Sequence, residues 1–69
     1  MRVGRNIVFY RKRMGISQIE LSRRLGVTPQ AVSKWEREIC CPDIQFLPML
    51  AKLLEITVDQ LLSDDLPMQ

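Results

Sequence analysis

The stretch GVTPQAVSKWER, residues 26–37, sets Gln30, Ser33, Lys34 and Arg37 at spacings that share one side of a short helix, with Ala31, Val32 and Trp35 on the other. Amide, hydroxyl, ammonium and guanidinium groups in a row can donate and accept hydrogen bonds, which is chemistry of recognition. Catalysis finds no such support. The chain has no histidine, no nucleophile–base pair in recognisable context, no glycine-rich phosphate loop and no set of metal-ligating residues, so no enzyme activity and no cofactor are expected. The start of this helix is firmly specified. Thr28 suits the N-cap, and Pro29 suits the first helical position, where no N–H is needed.

Two adjacent cysteines, Cys40 and Cys41, cannot staple distant segments, and no histidine or second cysteine pair completes a zinc site. They are expected as reduced thiols in a loop, one of them buried as a small hydrophobe. A redox-responsive role is the alternative; it predicts different behaviour in oxidant and reductant. The net charge of +2 conceals a segregation. Residues 1–37 hold nine basic and two acidic side chains, a balance of +7, whereas residues 38–69 hold one lysine against six acids, a balance of −5. A basic half suggests an anionic partner, and an acidic half suggests a separate task. With 46% hydrophobic and 26% charged residues, the composition is that of a globular protein rather than a disordered one. No apolar run approaches the roughly 20 residues of a membrane span. The apolar piece of the basic N-terminus, residues 7–10, is too short for a signal peptide. A cytoplasmic location is the default expectation.

The elements that must position the polar row are all helical, because valine and isoleucine occur singly at helical spacing rather than alternating over a run. Five segments follow. The first covers about residues 3–13 and stops at Gly15. The second opens at Ser17 with the capping box SQIE, in which Glu20 reaches back, and ends at Gly26. The third is the recognition segment, about residues 29–37. Pro42 and Pro48 then delay the fourth helix to Gln45 or Phe46, leaving residues 38–44 extended. This helix turns Leu47, Leu50, Ala51 and Leu54 inward. The fifth opens at the capping box of Thr57 and Gln60. A link of only Gly26, Val27 and Thr28 between the second and third helices forces a sharp crossing, the geometry of a helix-turn-helix. There the second helix of the pair enters the major groove of DNA and its first residues meet base edges.

The order SQ-x-EL, LGVT, WE, PD, LA-x-LL and VD-x-LL, spanning about residues 7–62, resembles the phage-repressor-like (Cro-like, XRE) helix-turn-helix family. The resemblance implies an all-α, five-helix fold of the lambda-repressor type, with residues 1–63 as the DNA-binding domain and 64–69 as a C-terminal tail. It implies a sequence-specific regulator of transcription acting on double-stranded DNA. Pro29, Gln30, Ser33 and Lys34 match its base-reading positions. Gln30 suits adenine, Lys34 suits guanine, and Pro29 offers at most an apolar contact to a thymine methyl. Gln18, with Ser17 and the N–H groups of that helix start, matches a phosphate site. Arg23, Arg24 and Arg37 are further phosphate candidates. Arg11 and Glu36 match a bridging ion pair that fastens the third helix, while Trp35 matches a core position facing the first.

Two departures stand out. Glu38 and Glu55 occupy positions where the family usually has glycine, and a glutamate at positive φ is unfavourable. The third helix is therefore expected to run longer, or its turn to differ. Domains of this kind gain affinity by pairing on half-sites about 34 Å apart, so a homodimer is expected. Ile44, Ile56, Val58, Leu62, Leu66 and Met68 exceed the evident needs of so small a core and are its candidate contacts. The competing reading is a protein-interaction module, antitoxin-like, whose acidic C-terminal half binds another protein.

Overall fold

Each of the first four helices ends by turning one residue into the left-handed region. The computed structural model describes residues 2–67 and contains α1 (Val3–Met14), α2 (Gln18–Leu25), α3 (Pro29–Glu36), α4 (Leu47–Leu53) and α5 (Val58–Leu62). A short 3₁₀ turn, Ile44–Phe46, precedes α4, and there is no strand among the described residues. Gly15, Gly26, Glu38 and Glu55 take φ of 73°, 77°, 60° and 60°. Beyond each, an amide reaches back to a carbonyl five residues earlier: Ile16 to Arg11, Val27 to Ser22, Ile39 to Lys34 and Ile56 to Ala51. This is the Schellman stop, which satisfies carbonyls that a helix end leaves open.

Glu38 and Glu55 thus occupy the left-handed position themselves. The expectation of a longer third helix is corrected: α3 ends at Glu36, with Arg37 as its cap. The side chain of Glu38 has a compensating use. Its Oε2 accepts from the backbone N–H of Arg5, 3.3 Å away, in the first turn of α1. That turn has no acidic residue and no side-chain cap of its own, so an acid from residue 38 meets the positive end of the helix dipole.

The helix starts are set by side-chain caps. Ser17, Thr28 and Thr57 accept from the backbone N–H groups of Glu20, Ala31 and Gln60. Thr57 and Gln60 complete a reciprocal capping box. The box expected at Ser17 is half made, because Glu20 turns instead to Arg23 and Arg24. Pro48 lies in the first turn of α4, as its missing N–H requires. The preceding turn is 3₁₀, so α4 begins at Leu47 rather than at Gln45 or Phe46.

The core combines Ile7 and Tyr10 of α1, Leu21 and Leu25 of α2, Val32 and Trp35 of α3, Leu50 of α4, Leu54 just beyond it, and Leu61 of α5. Trp35 is buried and its ring lies 5.9 Å from that of Phe46. Helix α3 packs against both α1 and α2, and α1 also meets α5. Gly4 allows the closest of these approaches: a Cβ there would lie 2.2 Å from the carbonyl oxygen of Trp35. Asn6, fully buried, donates through Nδ2 to the carbonyls of Leu61 (2.8 Å) and Ser63 (2.7 Å), tying α1 to the end of α5. Arg5 donates to the carbonyl of Asp64, and Leu66 packs against the core.

Among the apolar residues singled out as surplus, Ile44 is 81% exposed, while Ile56, Val58, Leu62 and Leu66 are half-buried; Met68 lies outside the described residues. Both cysteines are exposed, which corrects the expectation of one buried thiol. Pro42, not a cysteine, takes the inward position of that loop. Among the described residues, no helix is long and apolar enough to cross a membrane.

The two positive-φ glutamates should respond differently to glycine. Left-handed geometry costs a side-chain-bearing residue about 1–2 kcal/mol, part of which glycine returns as lost chain entropy. Glu55→Gly is expected to raise unfolding stability by about 1 kcal/mol. Glu38→Gly forfeits the bond to Arg5 N–H, worth about 1 kcal/mol, and is expected to be nearly neutral. Denaturant unfolding of the two variants checks this; equal gains would refute the capping role of Glu38.

Candidate nucleic-acid interface

Helices α2 and α3 are joined through Gly26, Val27 and Thr28, and the turn is fixed at both ends. Gly26 closes α2 in the left-handed region, and the extended backbone of Thr28 (φ −82°, ψ 154°) opens α3. Thr28 Oγ1 accepts from Ala31 N–H at 3.1 Å, and Pro29 begins the helix with φ already restricted. On the inner side Val32 and Trp35 are buried. On the outer side Pro29, Gln30, Lys34 and Arg37 are exposed, and Ser33 is half-buried. Gln30 and Lys34 are one helical turn apart, so their tips cover one stripe of α3.

An ion pair anchors the far end of that stripe. Arg11 Nε donates to Glu36 Oε2 at 2.6 Å, and Arg11 Nη2 donates to Oε1 at 3.1 Å. The side chains are 11% and 5% exposed. This is a fork-to-fork contact, which fixes direction as well as distance. The remaining arm, Nη1, donates to the carbonyl of Ile16 in the α1–α2 turn at 2.9 Å. Gln18, the first residue of α2, donates through Nε2 to Glu36 Oε1 at 2.7 Å. One carboxylate therefore collects α1, the start of α2 and the end of α3. No buried side-chain nitrogen or oxygen among the described residues is left without a partner.

Gln18 thus turns toward Glu36, although it was expected to face a phosphate. Its amide has two N–H bonds; Glu36 takes one and leaves the other available at the start of α2. Ser17 uses its hydroxyl to cap α2. Arg23 and Arg24 share the two oxygens of Glu20, at 3.0 Å and 2.9 Å, in exposed pairs. Such pairs are worth about 0.3–0.5 kcal/mol and yield readily to a phosphate. Arg37 donates through Nε to the carbonyl of Ser33, at 3.4 Å.

The bond from Gln18 to Glu36 and the cross-helix cap by Glu38 were missed in the sequence, as was the clasp by Asn6. Each joins residues 18, 33 or more than 50 positions apart, and no local pattern records such a meeting. Asn6 carried one faint signal, a polar residue amid the inward face of the first helix.

Removing Arg11 strands Glu36 in the interior with Gln18 alone. Breaking a buried pair from one side costs about 3–5 kcal/mol. Arg11→Ala is expected near the lower figure, because Gln18 remains, and its melting temperature should fall. An unchanged melting temperature would remove the pair as an anchor.

The chain matches a family model described as helix-turn-helix over residues 9–61. It is 38% identical to repressor protein C2 of Salmonella phage P22 over 64 residues, covering 93% of this chain and 30% of the relative. It is 36% identical to the transcriptional regulator SinR of Bacillus subtilis (strain 168) over 63 residues, covering 90% of this chain and 57% of SinR. It therefore spans 30% of the length of the first relative and 57% of the second. Among solved structures, the P22 c2 repressor in complex with synthetic operator 9T superposes with a TM-score of 0.84 at 36% identity, over 91% of this chain and 96% of that one. SinR in complex with DNA gives 0.81 at 37% identity, over 88% and 98%. The SinR–SinI complex gives 0.83 at 36% identity, over 90% and 61%. Five helices, a lambda-repressor-like arrangement and a model match over most of the length agree: the chain belongs to the phage-repressor-like (XRE-type) helix-turn-helix family.

Proposed function

We propose that the protein is a sequence-specific, double-stranded-DNA-binding regulator of transcription that lays the first turns of α3 in the major groove. The observation that carries this reading is the exposed row of Gln30, Lys34 and Arg37 on a helix whose inner face and both ends are pinned. A base contact depends on placement within a fraction of an ångström, and an anchored helix supplies it. Gln30 pairs with adenine and Lys34 with guanine, while Ser33 bonds a neighbouring base edge. Pro29 offers an apolar contact to a thymine methyl. Ser17, Gln18, Arg23, Arg24 and Arg37 meet phosphates, which position the domain without reading sequence. Relatives of similar sequence are a phage repressor and a transcriptional regulator, and similar structures were solved on DNA.

In this reading residues 1–63 form the DNA-binding domain, residues 64–69 are a tail, and the location is cytoplasmic. Two copies bind a two-fold-symmetric operator, and Ile44, the most exposed large apolar side chain among the described residues, is the first candidate for their contact. The acidic second half faces away from DNA, where like charge is tolerated.

Selection from a random duplex pool at about 150 mM salt, where non-specific attraction is partly suppressed, tests the reading. A two-fold-symmetric motif is expected. A single half-site would sink the dimer, and no enrichment would sink the regulator in favour of a protein-binding module using the acidic half. On the selected operator, Gln30→Ala should cost about 1–3 kcal/mol of binding and relax preference at one position. Arg37→Ala should weaken all sequences alike and lower the salt slope by about 1. Uniform weakening by Gln30→Ala would remove that residue from base reading.

A further inference from the structure

Neither the helix-turn-helix nor the core makes use of Cys40 and Cys41. Both thiols are exposed, and both line one recess of about 190 Å³ between the start of α1 and the end of α3. Val3, Trp35 and Pro42 give this recess apolar walls; Gly4 and Glu38 complete its lining. Two adjacent, exposed cysteines therefore border one small recess with apolar walls.

Their spacing limits what they can do. There are no cis peptide bonds among the described residues, and Cα atoms across a trans peptide are about 3.8 Å apart. Ordinary disulfides need roughly 4.4–6.8 Å, so a direct bond between these neighbours is disfavoured. A larger atom inserted between the sulfurs relieves that constraint. A tetrahedral divalent metal would need about four ligands, and no group of three or more histidine, cysteine, aspartate or glutamate residues among those described could hold one. A trigonal-pyramidal trivalent arsenic centre needs only the two sulfurs, because it brings its third substituent with it.

We infer that Cys40 and Cys41 form a vicinal dithiol site for a trivalent arsenical, with an organic substituent resting against the apolar walls of the recess. The step is a ligand exchange without redox change. In the hydrated arsenical, which carries two hydroxyls on arsenic, each As–OH bond breaks, each thiol sulfur forms an As–S bond, and each thiol proton leaves with the hydroxide as water. Thiolates are the soft ligands this chemistry requires.

Phenylarsine oxide, added to the reduced full chain and followed by intact-mass spectrometry, tests the site. One arsenical per chain is expected, surviving excess monothiol and released by a small dithiol. Cys40→Ser and Cys41→Ser should each give an adduct that monothiol removes. Both positions are exposed, so the variants should keep the wild-type helical circular dichroism, which is recorded alongside. Absence of an adduct on the wild type would overturn the inference. So would two arsenicals per chain, or equal persistence on either serine variant. None of these readouts uses DNA, so the outcome is independent of the regulator reading.

Discussion

The carboxylate of Glu36 is the point on which the reading helix depends. Burial deprives it of water, and three N–H donors from two other elements replace the hydration. A buried pair of this kind contributes little net stability against a well-packed apolar substitute. Its worth lies in direction. The guanidinium fork of Arg11 admits few orientations, and its third arm is committed to Ile16. The end of α3 is thereby fixed relative to α1, and Thr28 fixes its start. An apolar contact could hold the same helices together while leaving α3 free to slide or roll.

The segregation of charge looks different once side chains are placed. Glu20, one of two acids in the basic half, is matched by Arg23 and Arg24, and Glu36 is matched by Arg11. Both acids of that half hold arginines in place without cancelling the positive field, because nine cations stand against these two acids. Long arginines that are pre-ordered lose less freedom on meeting a phosphate. The acids thus order part of the basic surface without neutralising it.

Much of the fold was legible because its signals are local. Thr28–Pro29, the Thr57–Gln60 box and the glycines after α1 and α2 each act within a few residues, and helical spacing gave the inward faces. The sequence misled where a local preference was overruled. Glycine rules argued against Glu38 and Glu55 as helix stops, yet both adopt positive φ, and at Glu38 the opposing term is a bond to a helix thirty-three residues away. Glu20 was free to cap α2 but found cations on its own helix. The candidate site was legible as a set of positions, through a resemblance spanning most of the chain. Its supports were less so: Gln18 was read as a phosphate contact with no partner inside the fold, and Asn6 went unremarked, since their partners come from elsewhere in the chain.

Asn6 has a consequence for how the chain could be rearranged. By clasping the end of α5 from the first turns of α1, it brings the two ends of the fold side by side, with Arg5 holding the carbonyl of Asp64 as well. The fold is therefore a ring nearly closed by an amide. A short peptide could complete that ring and a new opening could be cut in the exposed loop before α4, giving a circular permutant. The helix-turn-helix would stay contiguous in it, because α2 and α3 lie in the interior of the chain. The order of the helices along the chain is a matter of descent; their contacts require only that α2 and α3 remain joined.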